Sequence, residues 1–182
     1  MSSLVISGDT SGTVTVAAPA VAGTTTITMP AVSGTMVVLP TTVSMVQLYT
    51  ANGQGSTNTA IRRFTNTITN TGTDITYADS ATLGSTFTIN TNGIYAIAYG
   101  DSFNGAGQLG LSLNSTQLST NIASITDTNR IAFSSTTAAN VNAMVNATLY
   151  LPSSSIIRPH SIAGTANGAT PALSTFLIVR VA

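Results

Sequence analysis

The side chains that could take part in acid–base chemistry are few. The chain has one histidine, His160, and five acidic residues, all aspartates, with no cysteine. General acid–base catalysis usually needs paired carboxylates or a histidine held by an orienting partner. His160 follows Arg158-Pro159 near a predicted strand end, so we interpret it as a solvated or hydrogen-bonded surface histidine. Since a G-x-S-x-G nucleophile elbow is also missing, we predict no catalytic residues and no enzymatic activity.

Two short stretches are similar to ligand motifs, and we assign both to turns. The stretch Asp101-Ser102-Phe103-Asn104-Gly105 is faintly similar to a calcium loop, but it lacks the closing glutamate, and Asx turns account for its Asp and Asn. Residues 105–110, GAGQLG, satisfy G-x-G-x-x-G. They lead into an alternating strand, however, whereas dinucleotide binding needs that motif to open a helix. We therefore predict no metal site and no cofactor.

Charge is almost absent from the chain. Five arginines and five aspartates make up 5% of the residues and cancel to zero net charge, against roughly 25% charged residues in an ordinary soluble domain. Without basic clusters, phosphate-dominated binding to nucleic acid is excluded. No apolar run approaches the roughly 18 residues of a membrane span, so we expect no membrane partner. A neutral surface lacks colloidal repulsion, and we expect an oligomer within an assembly.

The N-terminal region of the chain contains a sequence repeat. Residues 12–44 contain three 11-residue copies, GTVTVAAPAVA, GTTTITMPAVS and GTMVVLPTTVS. Each copy has a Gly that can turn, a β-favouring run and a Pro that forbids helix. One such unit cannot bury its own apolar face, so we interpret residues 1–44 as an extended attachment arm. Its candidate attachment residues are Val14, Val16, Pro19, Ile27, Met29, Pro30, Val37 and Leu39.

Residues 45–182 form a second region, which we predict to be an all-β head domain. Short apolar or alternating runs are separated by turn residues every eight to twelve positions, which is typical of a sandwich or barrel. Asn-Gly, a strong signal for a tight turn with positive φ, occurs at residues 52–53, 92–93, 104–105 and 167–168. The predicted strands are 45–50, 60–69, 85–90, 93–102, 108–113, 117–125, 130–135, 143–151, 155–160 and 172–181.

Two of these strands are apolar on both faces. Residues 93–99, GIYAIAY, and 176–181, FLIVRV, contrast with alternating runs such as 145–151. A sandwich in water requires only one apolar face per strand, so the second face predicts a contact with a partner subunit. We therefore predict subunit-interface positions in these two strands. They are Tyr95, Ile97, Tyr99, Phe176 and Ile178.

One segment of the head has a characteristic aromatic spacing. Phe87 is followed, after five residues, by Gly93-Ile94-Tyr95-Ala96-Ile97-Ala98-Tyr99. This spacing resembles the F-x5-G-x-Y-x-F-x-Y segment of the C1q/TNF-like jelly-roll family, with Ile97 where Phe is usual. Phe64 with Asn70 resembles the start of the same segment, and residues 174–178, STFLI, resemble its last strand. The resemblance implies a trimeric jelly-roll sandwich whose strands line a threefold axis. Arg180 would then bring three like charges together if its face met that axis.

The arm resembles a second group of proteins. Residues 12–34 are similar to G-x-V-T-V-x-A-P-A-x-A-G-T-x-T-I-T-x-P segments near the N-termini of bacteriophage fibre, tail and head-decoration proteins. Together the two resemblances imply a structural virion protein, a trimeric capsid-decoration (cement) or fibre protein, whose arm binds the major capsid or tail protein. Two alternatives remain: a receptor- or glycan-binding tip of a tail fibre, with a host-surface glycan as partner, and a bacterial surface or spore-coat C1q-like trimer.

Overall fold

The N-terminal unit contains a two-stranded sheet. The computed structural model describes residues 3–7, 13–17, 43–49, 53–138, 141–162 and 173–182, and the chain divides into two compact units, Met1–Leu39 and Pro40–Ala182. In the first unit β1 (Ser3–Ser7) pairs antiparallel with β2 (Thr13–Ala17). Of the proposed attachment residues, Val14 and Val16 lie in β2, opposite Ile6 and Leu4. The other attachment positions, Pro19, Ile27, Met29, Pro30, Val37 and Leu39, lie outside the described residues.

The second unit is a sandwich of two antiparallel five-stranded sheets, which confirms the predicted all-β class. The first sheet has the order β10-β7-β12-β3-β4 and the second the order β5-β6-β11-β8-β9. The strands are β3 (Met45–Tyr49), β4 (Asn66–Thr71), β5 (Ile75–Ala78), β6 (Thr86–Ile89), β7 (Gly93–Phe103), β8 (Gly107–Leu113), β9 (Arg130–Thr136), β10 (Val141–Leu151), β11 (Ile156–Ile162) and β12 (Thr175–Arg180).

Most predicted strands are present, and three details of the prediction are wrong. The strand expected at 60–69 begins only at Asn66, and β5 was not predicted at all. Residues 117–125 form no strand. They belong to a loop with two short 3₁₀ helices, Ile122–Ser124 and Asp127–Asn129, and the side-chain oxygen of Asn121 accepts a hydrogen bond from the Ala123 N–H at 3.1 Å. This local cap competes with strand formation, as Asn side chains commonly do.

Turn chemistry also differs in part from the prediction. Asn104-Gly105 does join β7 to β8, but Gly105 does not have a positive φ. Gly93 begins β7, as the predicted strand 93–102 has it, and also lacks a positive φ. Among the glycines that the structure describes, the left-handed backbone occurs at Gly72, between β4 and β5, and at Gly84. The dipeptide therefore located a turn without determining its backbone type.

The core lies between the two sheets and is centred on aromatic rings. Phe176 of β12 stacks on Phe87 of β6, with ring centroids 4.0 Å apart and planes 14° apart, so this contact crosses from one sheet to the other. Phe64 packs edge-on against Tyr99 at 5.7 Å and against Phe176 at 5.6 Å. Such offset and edge contacts stabilise a core beyond the burial of area. The aromatic residues whose spacing was noted in the sequence therefore form the centre of this core.

The outer face of the second sheet is covered by the chain itself. Residues 114–129, which we call the cap loop, bury Ile122 and Ile125 almost completely. Ile122 lies over Gly110 of β8, where an added Cβ would come within 2.5 Å of the Ile122 side chain and 2.4 Å of the Ala132 carbonyl oxygen. Glycine is therefore required at this position for the cap loop to approach the sheet.

Candidate assembly surface

The five residues predicted for the trimer interface lie inside the sandwich. Their exposed fractions are at most 3%, and all five belong to the core between the sheets. The strands do have two apolar faces, but the prediction selected the inner one, because the large aromatic side chains that suggested an interface are the ones that fill the core. The structure therefore moves the predicted contact off these side chains, which are Tyr95, Ile97, Tyr99, Phe176 and Ile178.

The outer face of the first sheet carries the alternate residues of the same strands. We call this surface the assembly face. The strand register arranges it in three rows across the sheet, read in the order β10, β7, β12, β3 and β4. The rows are Thr148-Ala96-Val179-Met45-Thr71, Asn146-Ala98-Leu177-Gln47-Thr69 and Met144-Gly100-Thr175-Tyr49-Asn66.

The assembly face is apolar or neutral across all three rows. Small side chains on β7 form a shallow centre beside Leu177 and Val179 of β12, and no row contains an Asp or Arg. Larger apolar side chains lie toward its ends: Met144 is 61% exposed, Tyr150 62% and Ile94 41%. A surface without charge and with exposed Met and Tyr has the composition of the centre of a protein–protein contact.

The two sheets differ in how their outer faces are covered. The cap loop buries the middle of the second sheet, whereas no described residue plays that part for the first sheet, whose central residues remain half-exposed. A sheet with one face in water ordinarily alternates apolar and polar side chains. The part of the assembly face on β7 and β12 departs from that pattern, because Ala96, Ala98, Leu177 and Val179 are adjacent there, and contiguous apolar surface marks interaction sites.

Arg180 does not add charge to the assembly face. Its guanidinium lies 3.4 Å from the Asp74 carboxylate and donates to the Asn92 carbonyl oxygen at 3.0 Å. The sequence raised the expectation that three Arg180 side chains would converge at an axis. Because the charge is paired within the chain, it does not oppose association through this sheet.

A buried ion pair holds the segment before β4 to the first sheet. The Arg62 Nε donates to Asp101 Oδ2 at 2.8 Å, and both side chains are at most 2% exposed. The Tyr99 hydroxyl and the Ser174 hydroxyl also donate to the Asp101 carboxylate, and the Arg62 Nη1 donates to the Gly53 carbonyl oxygen. These bonds satisfy a charge that would otherwise be costly to bury. Both carboxylate oxygens of Asp101 thus accept hydrogen bonds from Arg62 and from a hydroxyl group.

The neighbouring Arg63 forms a more exposed pair. Its Nη2 lies 2.6 Å from Asp79 Oδ2, and the two side chains are 22% and 16% exposed. The hydrogen bond to Asp79 raises the pKa of Arg63, against the effect of burial. Both adjacent arginines, Arg62 and Arg63, are therefore paired with an aspartate.

His160 is buried, so its interpretation as a surface histidine is wrong. It lies within β11 opposite Gly110, is 1% exposed, and its Nε2 is 2.9 Å from the Ser112 hydroxyl. Burial beneath the cap loop lowers the pKa of His160 to about 4; the nearby Thr120 backbone opposes this shift and Arg158 adds to it. A neutral imidazole bonded to one serine, without a carboxylate, lacks the orienting acid of a catalytic triad.

The described residues offer little other chemistry. Within them no three His, Cys, Asp or Glu side chains gather where they could hold a metal ion. Neither of the two short helices in that part of the chain could span a membrane. Among the described residues of the head, the assembly face is therefore the feature whose composition indicates a protein–protein contact.

Comparisons with known proteins identify the fold. No protein family and no curated protein matches the sequence. Among solved structures, murine APRIL at pH 5.0 superposes with a TM-score of 0.57 and 11% identity over 76% of this chain and 99% of that one. Eiger TNF from S. frugiperda gives a TM-score of 0.54 and 9% identity over 77% of this chain and 93% of that one.

The head is a jelly roll of the C1q/TNF-like type. This conclusion confirms the fold that the sequence resemblance implied, and it agrees with the two five-stranded antiparallel sheets. At identities near one residue in ten, the likeness concerns the fold alone. Function must therefore be argued from the surface of this chain.

Proposed function

We propose that the protein is a non-enzymatic structural protein that assembles as a homotrimer through the assembly face. The observation that carries the proposal is the uncharged, partly apolar outer face of the first sheet, which is partly exposed and covered by none of the described residues, while the cap loop covers the second sheet. Three copies, in preference to two, follow from the resemblance of the Phe87–Tyr99 segment and the last strand to the C1q/TNF-like jelly roll.

Association through this face needs no rearrangement of the head. The small side chains of Ala96, Ala98 and Gly100 permit close approach of a neighbouring sheet, and Leu177 and Val179 supply apolar area beside them. Burial of apolar area contributes roughly 25 cal/mol per Å². Because Arg180 of β12 is paired with Asp74 and the three rows contain no Asp or Arg, no isolated charge in these rows has to be desolvated.

A charge placed at the centre of the assembly face tests this proposal. Ala98→Asp should give a folded monomer by mass photometry, because an unpaired carboxylate would be buried only in the trimer. Ala78→Asp is the matched control, since Ala78 lies exposed on the edge strand β5 of the other sheet, and it should remain trimeric. A soluble trimer with Ala98→Asp would remove the assembly face from the contact.

We further propose that the trimer belongs to a bacteriophage particle and that residues 1–44 attach it, as decoration or fibre, to the major capsid or tail protein. The support comes from the repeat at residues 12–44 and its resemblance to phage structural proteins. Strands such as β1 and β2 can extend a host sheet by backbone hydrogen bonds. Three linked arms would then strengthen attachment by avidity.

Salt resistance tests the mode of attachment. The first 44 residues contain one charged residue, Asp9, so screening has little to weaken, and the protein should stay on purified particles at about 1 M salt, where the Debye length is about 3 Å. Release by moderate salt alone would contradict attachment through backbone and apolar contacts. Electron microscopy of the same particles gives the copy number: many copies indicate decoration, and a handful indicate a fibre tip.

A further inference from the structure

A small pocket opens beside the outer face of the second sheet. Its volume is about 220 Å³, and it is lined by Gln108 of β8, Asn121 of the cap loop, and Ser135, Thr136 and Thr137 at the end of β9, together with the backbone of residues 106–107. Gln108 and Ser135 are opposite each other in the β8–β9 register. The pocket is thus bounded by two paired strands on one side and by the cap loop on the other.

The lining of this pocket is polar and uncharged. It presents amide and hydroxyl groups, which can both donate and accept hydrogen bonds, and no Asp or Arg. The Gln108 Oε1 atom is buried and has no hydrogen-bond partner among the described residues. A buried acceptor without a partner is costly, so a rotation of the Gln108 amide that brings this oxygen to a ligand hydroxyl would remove that cost.

An exposed aromatic ring lies next to the pocket on the same face of β9. Phe133 is two residues before Ser135, and side chains two apart on a strand share a face. Phe133 is 48% exposed, and the Arg130 guanidinium lies 5.4 Å from its ring centroid. An exposed ring beside a polar pocket offers a stacking surface for a ligand with one apolar face.

The strand register shows at which end of the sandwich the pocket lies. Met45, the first residue of β3, pairs with Val179 of β12. Val179 pairs in turn with Ala96 near the start of β7. From there β7 runs to Phe103 at the opposite end, where the turn into Gly107 forms one wall of the pocket. The pocket therefore lies at the end of the sandwich opposite Met45.

We propose that this pocket binds one ring of a neutral saccharide. The ligand is a sugar because hydroxyl groups match the amide and hydroxyl lining, while the lack of charge disfavours phosphates, carboxylates and cations. It is a single ring because about 220 Å³ is smaller than the roughly 300–1,000 Å³ of pockets for drug-sized ligands. This site is separate from the assembly face, and neither depends on the other.

Saturation-transfer NMR on the full chain tests the proposal. The probes are methyl glycosides of neutral hexoses, deoxyhexoses and N-acetylhexosamines, with sialic acid as a charged probe. At least one neutral glycoside should receive saturation, and Gln108→Met should weaken its binding about tenfold, since one good polar contact is worth about that factor. Ser135→Ala, an exposed position with little effect on folding, should weaken it several-fold. Thr116→Ala, an exposed cap-loop residue outside the pocket lining, should leave it unchanged.

Three results would overturn the proposal. The first is that no neutral glycoside receives saturation. The second is that binding is unchanged in both Gln108→Met and Ser135→Ala while both variants keep the wild-type melting temperature. The third is that sialic acid binds more tightly than every neutral glycoside, which would point to an arginine instead of the uncharged pocket. Because the probes are monovalent sugars, none of these results depends on whether the protein is a trimer or a virion component.

Discussion

Acidification should destabilise the folded head through His160. The histidine is 1% exposed and its pKa is lowered to about 4 from an ordinary value of 6.5. Below pH 6.5 His160 therefore binds a proton in the unfolded chain, whereas in the folded chain it binds one only when the pH falls to about 4. The free energy of unfolding is fully retained above pH 6.5, falls as the pH drops toward 4, and is lowered by about 3 kcal/mol below that.

The effect should be separable from that of other groups. His160 is the only histidine, and the chain has no cysteine and only five acidic side chains, whose ordinary pKa near 3.9 lies below the range concerned. The groups that face His160 are the Ser112 hydroxyl, the Thr120 backbone and Arg158. Between pH 8 and pH 5 this one imidazole should therefore dominate, and the linkage relation gives a loss of about 2 kcal/mol.

Urea denaturation at pH 8, 6.5 and 5 measures this loss. Wild-type protein should lose about 2 kcal/mol across the range, and His160→Gln, whatever its absolute stability, should show a nearly flat profile. An NMR titration of the single imidazole should give a pKa near 4 in the folded protein. A histidine that titrates above pH 6, or an equal loss in His160→Gln, would refute the argument that burial under the cap loop keeps this side chain neutral.

Two further substitutions test contacts of the head. Asp101→Asn leaves the buried Arg62 without its carboxylate and should cost about 3–5 kcal/mol in urea unfolding, whereas the matched change Asp79→Asn at the more exposed pair should cost about 1 kcal/mol or less; similar losses for both would contradict the role of burial. Gly110→Ala should lower the free energy of unfolding by about 1–3 kcal/mol, because the added methyl group meets Ile122 and the Ala132 carbonyl. The control Gly105→Ala has nothing within 4 Å of its added methyl group and should change the free energy of unfolding by no more than about 0.5 kcal/mol. An unchanged unfolding midpoint for Gly110→Ala would show that the cap loop does not lie closely on β8.

Local patterns in the sequence predicted much of the fold. The alternating run at residues 145–151 and the doubly apolar run at 93–99 are both strands, because a strand's two faces follow directly from a period of two. The cap loop was not predicted, because its conformation depends on a contact with a distant strand and not on a local pattern. Its Ile122 and Ile125 resemble strand residues, and only their contact with the second sheet, permitted by Gly110, explains why they are buried in a loop.

The sequence by itself determined that this is a helix-poor β protein with few charges, zero net charge and an apolar surplus in two strands, since composition and alternation are properties of the chain alone. Only the tertiary structure decided which face of those strands fills the core. Phe176 and Tyr99 point inward because their rings can pack against Phe87 and Phe64, which come from distant parts of the chain. The smaller Ala98 and Leu177 are left on the outer face, and periodicity cannot tell these two faces apart, because both are apolar and the choice between them depends on which side chains fit across the sandwich.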